Sequence, residues 1–278
     1  MGHAINEKAQ PPESSGINNT FFRRALTVTA TKLCWNIKLR PRCGTVLFLS
    51  RVVCVKASNY GDLAEAAAIQ FIAKNTTIPV PKIYCAFRRK GITYIAMENM
   101  NGDILGKGWA QRSEESKARI FAQLKEMVRS MRDLKLPEGA GVENVIGEAL
   151  FDQRLPGSSF RCGPFKGGVQ EFHSYLRSGI EDTNEAEVND MIRQHREGNW
   201  PLVFTHADLS SMNIILKGDK VVGIIDWETA GWYPSYWEYT TARNANPQNY
   251  WWGEEVDNYL EPMPKEWEME MIRQRCFW

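Results

Sequence analysis

The run from Leu202 to Asp226 constrains this chain most. Leu202–Phe204, Ile214–Leu216 and Val221–Ile225 are apolar runs too short for helices, so they read as strands. The loop after the first carries His206, Ala207 and Asp208, with Asn213 five residues beyond the Asp, in the pattern H-x-D-x-x-x-x-N. Asp226 closes the third run. A carboxylate at the end of so apolar a strand is costly to bury unless it is paired or bound to a cation.

These groups in this order suit phosphoryl transfer to a hydroxyl. Asp208 can orient an acceptor and take its proton, while the Asn213 amide oxygen and Asp226 offer hard ligands for Mg²⁺ beside nucleotide phosphates. Each residue alone has a plainer reading: Asp208 and Asn213 as turn residues, Asp226 as a cap on the segment after it. His206 reads as structural, its ring N–H bracing the loop backbone. With four His in the chain and no ligand spacing, the sequence gives no support for a zinc role.

The upstream half supplies a second set. Val53-Cys54-Val55-Lys56 is an apolar strand ending in Lys, the type of position that pairs with α/β-phosphates. Glu65, nine residues on, is its candidate partner, although it also falls at the capping position of a helix that starts after Asp62. Neither G-x-G-x-x-G nor a Walker A motif is present. Gly44, in the turn before the strand pair, is the candidate for covering phosphates; a plain β-turn is the simpler reading there.

Elsewhere, strands are expected at Val46–Leu49, Val52–Val55, Ile83–Phe87 and Thr93–Met97, with a helix from Ala64 to Ala73. A long helix capped by Ser113 is expected to run to about Leu134, with Ile120, Leu124, Met127, Met131 and Leu134 on one face. Gly139 to Gly168 reads as irregular. Helical patterns come next at Val169–Arg177 and Ala186–Arg196, the second closed by Gly198, and Pro234 fits the first turn of another helix. Strands and one helix first, then mostly helices with a small β insert, make an α+β chain in two lobes with a boundary near Asn99–Asp103.

Composition narrows the partners. Against 34 basic residues stand 33 acidic ones, a balance that supports neither nucleic-acid nor membrane binding. The six Cys form no C-x-x-C pair and read as reduced thiols. The N-terminus has no apolar core of a signal peptide, and Asn6 argues against myristoylation. A cytoplasmic protein with a disordered tail over residues 1–20 is expected; nothing fixes an oligomeric state.

Larger blocks of sequence carry a resemblance. They are Glu65 in a helix leading to Ile78-Pro79-Val80-Pro81-Lys82-Ile83-Tyr84, then Tyr94-Ile95-Ala96-Met97-Glu98 and Trp200-Pro201-Leu202-Val203-Phe204-Thr205-His206. Ile224-Ile225-Asp226-Trp227-Glu228 and Gly231-Trp232-Tyr233-Pro234 complete the set. From about Cys43 to Pro264 the chain resembles the aminoglycoside phosphotransferase-like kinases, especially their large fungal group.

The resemblance implies a protein-kinase-like bilobal fold: a small β-rich lobe over 21–98, a hinge over 99–103 and a larger helical lobe over 104–278, with ATP between the lobes. It implies Asp208 as base, Asn213 and Asp226 as Mg²⁺ ligands, and Lys56 paired with Glu65. Met97, Glu98 and Met100 would lie beside the adenine, and the acceptor against the C-terminal helices. D-W-E in place of D-F-G, and no A-P-E element, disfavour a protein substrate. The expected activity is transfer of the ATP γ-phosphate to a small-molecule hydroxyl; the alternative is a catalytically silent nucleotide-binding or interaction protein.

Two features qualify this. The family usually has Gly where this chain has Ala207, and if that position takes a positive φ the Ala costs about 1 kcal/mol or more. Between Glu254 and Glu270 stand seven acids and one base, and seven of the ten Trp lie at or after position 227. Such a region suits a cationic acceptor, although a solvated helix face over packed Trp is the simpler reading.

Overall fold

A computed structural model describes residues 16–36, 40–157, 161–244 and 250–277. Most of the expected disordered tail, residues 1–15, lies outside the described residues. The chain divides into two compact units. The first holds the described residues of 1–66 with 82–99, and the second holds 67–81 with the described residues of 100–278.

The first unit opens with helix α1 (Phe21–Asn36), which the sequence reading did not anticipate. Its sheet runs β1 (Arg42–Cys43), β2 (Val46–Phe48), β3 (Val53–Ser58), then β5 (Ile92–Glu98) and β4 (Ile83–Arg89) at the far edge, all antiparallel. Two turns set the register. Gly44, with φ 53°, turns β1 into β2. Lys90 and Gly91, at φ 48° and 75°, make the left-handed pair that a two-residue hairpin needs between β4 and β5. Val28 of α1 packs with Val55, Cys85, Phe87, Tyr94 and Ala96, and Phe87 stacks on Tyr94 with ring centres 5.2 Å apart.

Helix α2 (Ala64–Asn75) follows β3. The Asp62 carboxylate accepts the Ala64 N–H at 2.8 Å, which satisfies one of the open donors at the helix start.

The second unit is mainly helical. Helix α3 (Glu114–Arg132) is capped by Ser113, whose Oγ accepts the Ser116 N–H at 3.3 Å. Its buried face is Ile120, Phe121, Leu124, Val128 and Met131. Met127, expected on that face, is half-buried; a step of four from Leu124 places Val128 inward instead. Small sheets bind the loops: β6 (Asp103–Ile104) pairs with β11 (Ile214–Lys217), which pairs with β12 (Lys220–Ile224). A second sheet runs β10 (Leu202–Thr205), β13 (Gly231–Pro234) and β7 (Glu143–Asn144). The segment expected to be irregular thus holds β7 and also the pair β8 (Leu150–Phe151) and β9 (Arg161–Cys162).

Helices α4 (Val169–Leu176), α5 (Ala186–Glu197), α6 (Trp237–Arg243), α7 (Tyr250–Glu255) and α8 (Pro264–Phe277) complete this unit. Phe172, Leu176, Met191, Ile192, Tyr233, Trp237 and Met269 share one core. Phe71 of α2 packs against Phe204 and Trp232, with ring centres 5.2 and 6.2 Å away. Two expectations fail here. Gly198 ends α5 in an extended conformation, φ −67°, rather than a left-handed one. Pro234 ends β13 opposite Leu202 instead of starting a helix; it lies past the β7 pairing, where its missing N–H costs nothing.

The C-terminal aromatic residues are core. Trp227, Trp232, Trp237 and Trp252 are fully buried. Several acids there are already engaged: Glu266 accepts from Trp200, Asp257 pairs with Arg243, and Glu270 with Arg273. Trp251 and Trp267 are half-buried.

Candidate active site

In the second unit, β10 delivers the chain into the loop that bears Asp208, and the β11–β12 hairpin ends at Asp226. One side chain ties the two ends together. The buried His206 ring accepts the Asp208 N–H at Nδ1 (3.2 Å), and its Nε2 meets the Ile225 carbonyl at 3.0 Å. An acceptor role for Nδ1 leaves Nε2 as the N–H donor, which fixes a neutral tautomer. Burial pushes the imidazole down to about 4, so it stays neutral at ordinary pH, and Trp227 packs edge-on against it at 4.5 Å.

Asn213 closes the other side of the loop. Its Nδ2 donates to the Asp208 carbonyl at 2.8 Å and to Asp208 Oδ2 at 2.7 Å. With the amide nitrogen so used, the amide oxygen is the atom Asn213 can offer a cation. Asp226 sits in the left-handed region, φ 64° and ψ 61°, a strained conformation that Asp tolerates better than most residues. Burial pushes the Asp208 carboxyl up to about 7. Arg154 and the Asn213 hydrogen bond act against that rise, and the Asp226 charge adds to it. The Asp208 and Asp226 carboxylates, with the Asn213 amide oxygen, form an oxygen-rich donor set that fits a hard divalent cation.

Ala207 takes φ 62°, the conformation for which its side chain is least suited. Both of its peptide groups are held. The buried Glu238 carboxylate accepts the His206 N–H at 2.7 Å and the Ala207 N–H at 3.2 Å. The Ala207 carbonyl accepts from Arg154 Nη2, and Thr229 Oγ1 donates to the His206 carbonyl at 2.8 Å. Trp252 and Tyr259 both donate to the Leu209 carbonyl, at 3.1 and 3.2 Å. Every carbonyl from His206 to Leu209 therefore has a side-chain donor, Asn213 serving Asp208.

Arg154 is the main residue that the sequence reading missed. Its guanidinium makes a two-pronged pair with the buried Asp152, Nε to Oδ1 at 2.8 Å and Nη2 to Oδ2 at 2.9 Å. Its Nη1 lies 3.9 Å from Asp208 Oδ1. Asp152 follows β8 in a stretch without periodicity, so nothing local marks the pair. Glu238 had a signal: an acid inside the aromatic run Tyr236-Trp237-Glu238-Tyr239 is a buried acid with a task.

In the first unit, Lys56 of β3 and Glu65 of α2 are both buried, with Nζ and Oε2 3.0 Å apart. Lys56 sits opposite Val46 and Ile95 in the sheet. Gly44 is an exposed hairpin turn with open space where a side chain would stand. Met97 is buried in β5, and Glu98 ends that strand, its N–H donating to the Lys82 carbonyl at 2.9 Å. Met100 belongs to the second unit, where Gly223 leaves it room: a Cβ at Gly223 would stand 2.9 Å from the Met100 Cε.

Comparison with known proteins identifies the family. The phosphotransferase enzyme family matches residues 62–275. Aminoglycoside 3'-phosphotransferase of Niallia circulans is 25% identical over 184 residues, 62% of this chain and 61% of the relative's length. Among solved structures, aminoglycoside phosphotransferase APH(4)-Ia superposes with a TM-score of 0.60 at 14% identity, covering 89% of each chain. Its thermostable variant in complex with ADP and hygromycin B gives 0.60 at 13% identity, over 89% of this chain and 88% of that one. The fold is thus that of the protein-kinase-like aminoglycoside kinases, and the chain belongs to the phosphotransferase enzyme family.

Proposed function

We propose that this member of the phosphotransferase enzyme family moves the γ-phosphoryl group of ATP to a hydroxyl of a small molecule, with Asp208 as the base. The observation that carries the reading is the braced loop pair, in which His206 bonds to both ends and Asn213 bonds to Asp208. The ionised Asp208 accepts the acceptor's hydroxyl proton as that oxygen bonds to phosphorus and the bond to the ADP leaving oxygen breaks. A carboxyl near 7 holds that proton more readily than an ordinary Asp and still ionises at physiological pH.

Asn213 and Asp226 are the residues assigned to Mg²⁺, which when bound supplies positive charge against the phosphate oxygens. In the first unit, Lys56 held by Glu65 is assigned to the phosphates and the Gly44 turn to covering them. Met97, Glu98 and Met100 are assigned to the adenine. The acceptor class we favour is a cationic, polyhydroxylated molecule, because the related proteins are named for aminoglycosides and one is complexed with hygromycin B.

The test is ADP release over amino sugars, amino alcohols and simple sugars, with Asp208→Asn as control. Turnover on at least one acceptor is expected, reduced about 10²-fold or more in the variant. Mg²⁺-dependent ATP binding with no turnover on any acceptor would replace this reading with that of a silent nucleotide binder.

A further inference from the structure

The outer face of helix α1 is unusual. Phe22, Leu26 and Leu33 are 81%, 72% and 56% exposed. With Thr29 they take the spacing i, i+4, i+7, i+11, one stripe along the helix. The opposite face, Thr27, Val28 and Thr31, is buried against the sheet. The outward stripe is therefore not a face turned the wrong way; the helix buries its Thr27–Val28–Thr31 side and presents a second, apolar side that is exposed among the described residues.

Charge says what the second side is for. From Ser14 to Gly61 the sequence holds eight basic residues and no acidic one, whereas the whole chain has 34 and 33. The even balance of the full chain conceals a strongly basic segment. Of the eight, Lys56 is buried against Glu65, while Arg23, Lys32, Arg40, Arg42 and Arg51 are exposed. On a helical wheel Arg23 and Lys32 fall on the two flanks of the Phe22–Leu26–Leu33 stripe. Arg42 stacks over the Trp35 ring at 5.0 Å, which brings another charge to the C-terminal end of the same helix.

We propose that this face of the first unit docks on an anionic lipid surface, with the α1 stripe entering the acyl boundary and the basic residues reaching the headgroups. An apolar stripe flanked by Arg and Lys on one helix is the pattern of an interfacial helix. A second copy of this chain is a poor occupant, because a two-fold interface would set these bases against each other. Side chains more than half exposed project outward; they are not the walls of a groove that would receive a peptide. Docking is peripheral, since no helix among the described residues is long and apolar enough to cross a membrane.

The experiment is flotation of the full-length protein with phosphatidylcholine vesicles, with and without about 30% phosphatidylserine. The protein is expected to float with the anionic vesicles and not with the neutral ones, and to be released as salt rises. Phe22→Ser/Leu26→Ser/Leu33→Ser is expected to lower binding about tenfold or more. Lys32→Gln/Arg42→Gln should lower it about fivefold per charge removed. Thermal unfolding of both variants should match the parent, because the substituted side chains are exposed. Equal flotation on both vesicles, or none, overturns the proposal. So does a parent dimer in light scattering that the triple variant dissociates, or capture by polyglutamate that the triple variant leaves unchanged.

Discussion

Replacing Arg154 by Met tests whether the Asp152–Arg154 pair shapes the Asp208 loop or only the fold around it. Asp152 is 1% exposed, and its two oxygens receive three bonds from the Arg154 side chain and backbone, at 2.8 to 2.9 Å. Removing one partner of a buried pair leaves the other charge uncompensated and costs about 3–5 kcal/mol. The Ala207 carbonyl loses a charged donor at the same time, about 1.5–3 kcal/mol if it finds no water. The two losses overlap, so we expect Arg154→Met to destabilise by about 3–5 kcal/mol in urea unfolding. In Arg154→Met/Asp152→Leu both charges are gone, and stability should return to within about 1–2 kcal/mol of the parent. Activity should not return with it. The double variant has no guanidinium to hold the Ala207 carbonyl or to stand beside Asp208, and misplacing a catalytic group by about 1 Å costs up to about 10²-fold. We therefore expect kcat, from ADP release, to stay reduced about 10- to 100-fold. A double variant with parental kcat would refute a positioning role for Arg154. A single variant that loses less than about 1 kcal/mol would refute the ion-pair argument itself.

The same geometry gives three further outcomes. Ala207→Gly should change stability by no more than about 1 kcal/mol, whereas Ala207→Val, β-branched at a positive φ, should cost about 2 kcal/mol or more in urea unfolding. Burial lowers His173 from an ordinary 6.5 to about 4, so its contribution is complete above pH 6.5 and lost as pH falls towards 4. That loss reaches about 3 kcal/mol, and His173→Gln should flatten the fall in melting temperature over this range. Finally, burial pushes the Cys54 and Cys162 thiols up to about 11 and 12, while Cys43 and Cys276 are exposed. A disulfide reagent should therefore titrate Cys43 and Cys276 quickly in the native protein, and Cys54 and Cys162 only after unfolding.

The features legible in the sequence were those that repeat at short range. The continuous apolar character and short length of Val52–Val55, Ile83–Phe87 and Val221–Ile225 placed β3, β4 and β12, and the Ser113 cap placed α3. Helix α1 escaped because Thr27, Val28, Thr29 and Thr31 favour strands, and its apolar residues face both inward and outward; packing of Val28 on the sheet overrides that preference. Pro234 was misplaced for a related reason: the Leu202–Pro234 pairing that claims it comes from a strand 32 positions earlier. At the site, the residues assigned to chemistry and the His206 brace were legible, but two of the residues that hold the loop, Arg154 and Glu238, were not. Asp208 and Asn213 lie in one loop, so their spacing is local. Arg154 and Glu238 reach that loop from 53 and 31 positions away in sequence. No pattern within the loop could have pointed to them.

Ala207 shows why a motif departure need not be a defect. A left-handed Ala costs about 1–2 kcal/mol relative to Gly. Against this, its methyl is fully buried and belongs to the core that includes Tyr233 and Trp237. Burying one such carbon gives back about 0.8 kcal/mol. Ala also loses less chain entropy on folding than Gly, by about 0.4–1 kcal/mol. The three effects nearly cancel. The loop's shape is then set by Glu238 on the Ala207 N–H and Arg154 on its carbonyl, and neither contact depends on whether the residue carries a methyl group. Loss of activity in this chain, if found, would therefore have to originate elsewhere than at Ala207. Ala207→Gly would show this directly: it should leave kcat within about threefold of the parent, and a rise of more than about tenfold would mean that strain at this residue had been holding the loop out of place.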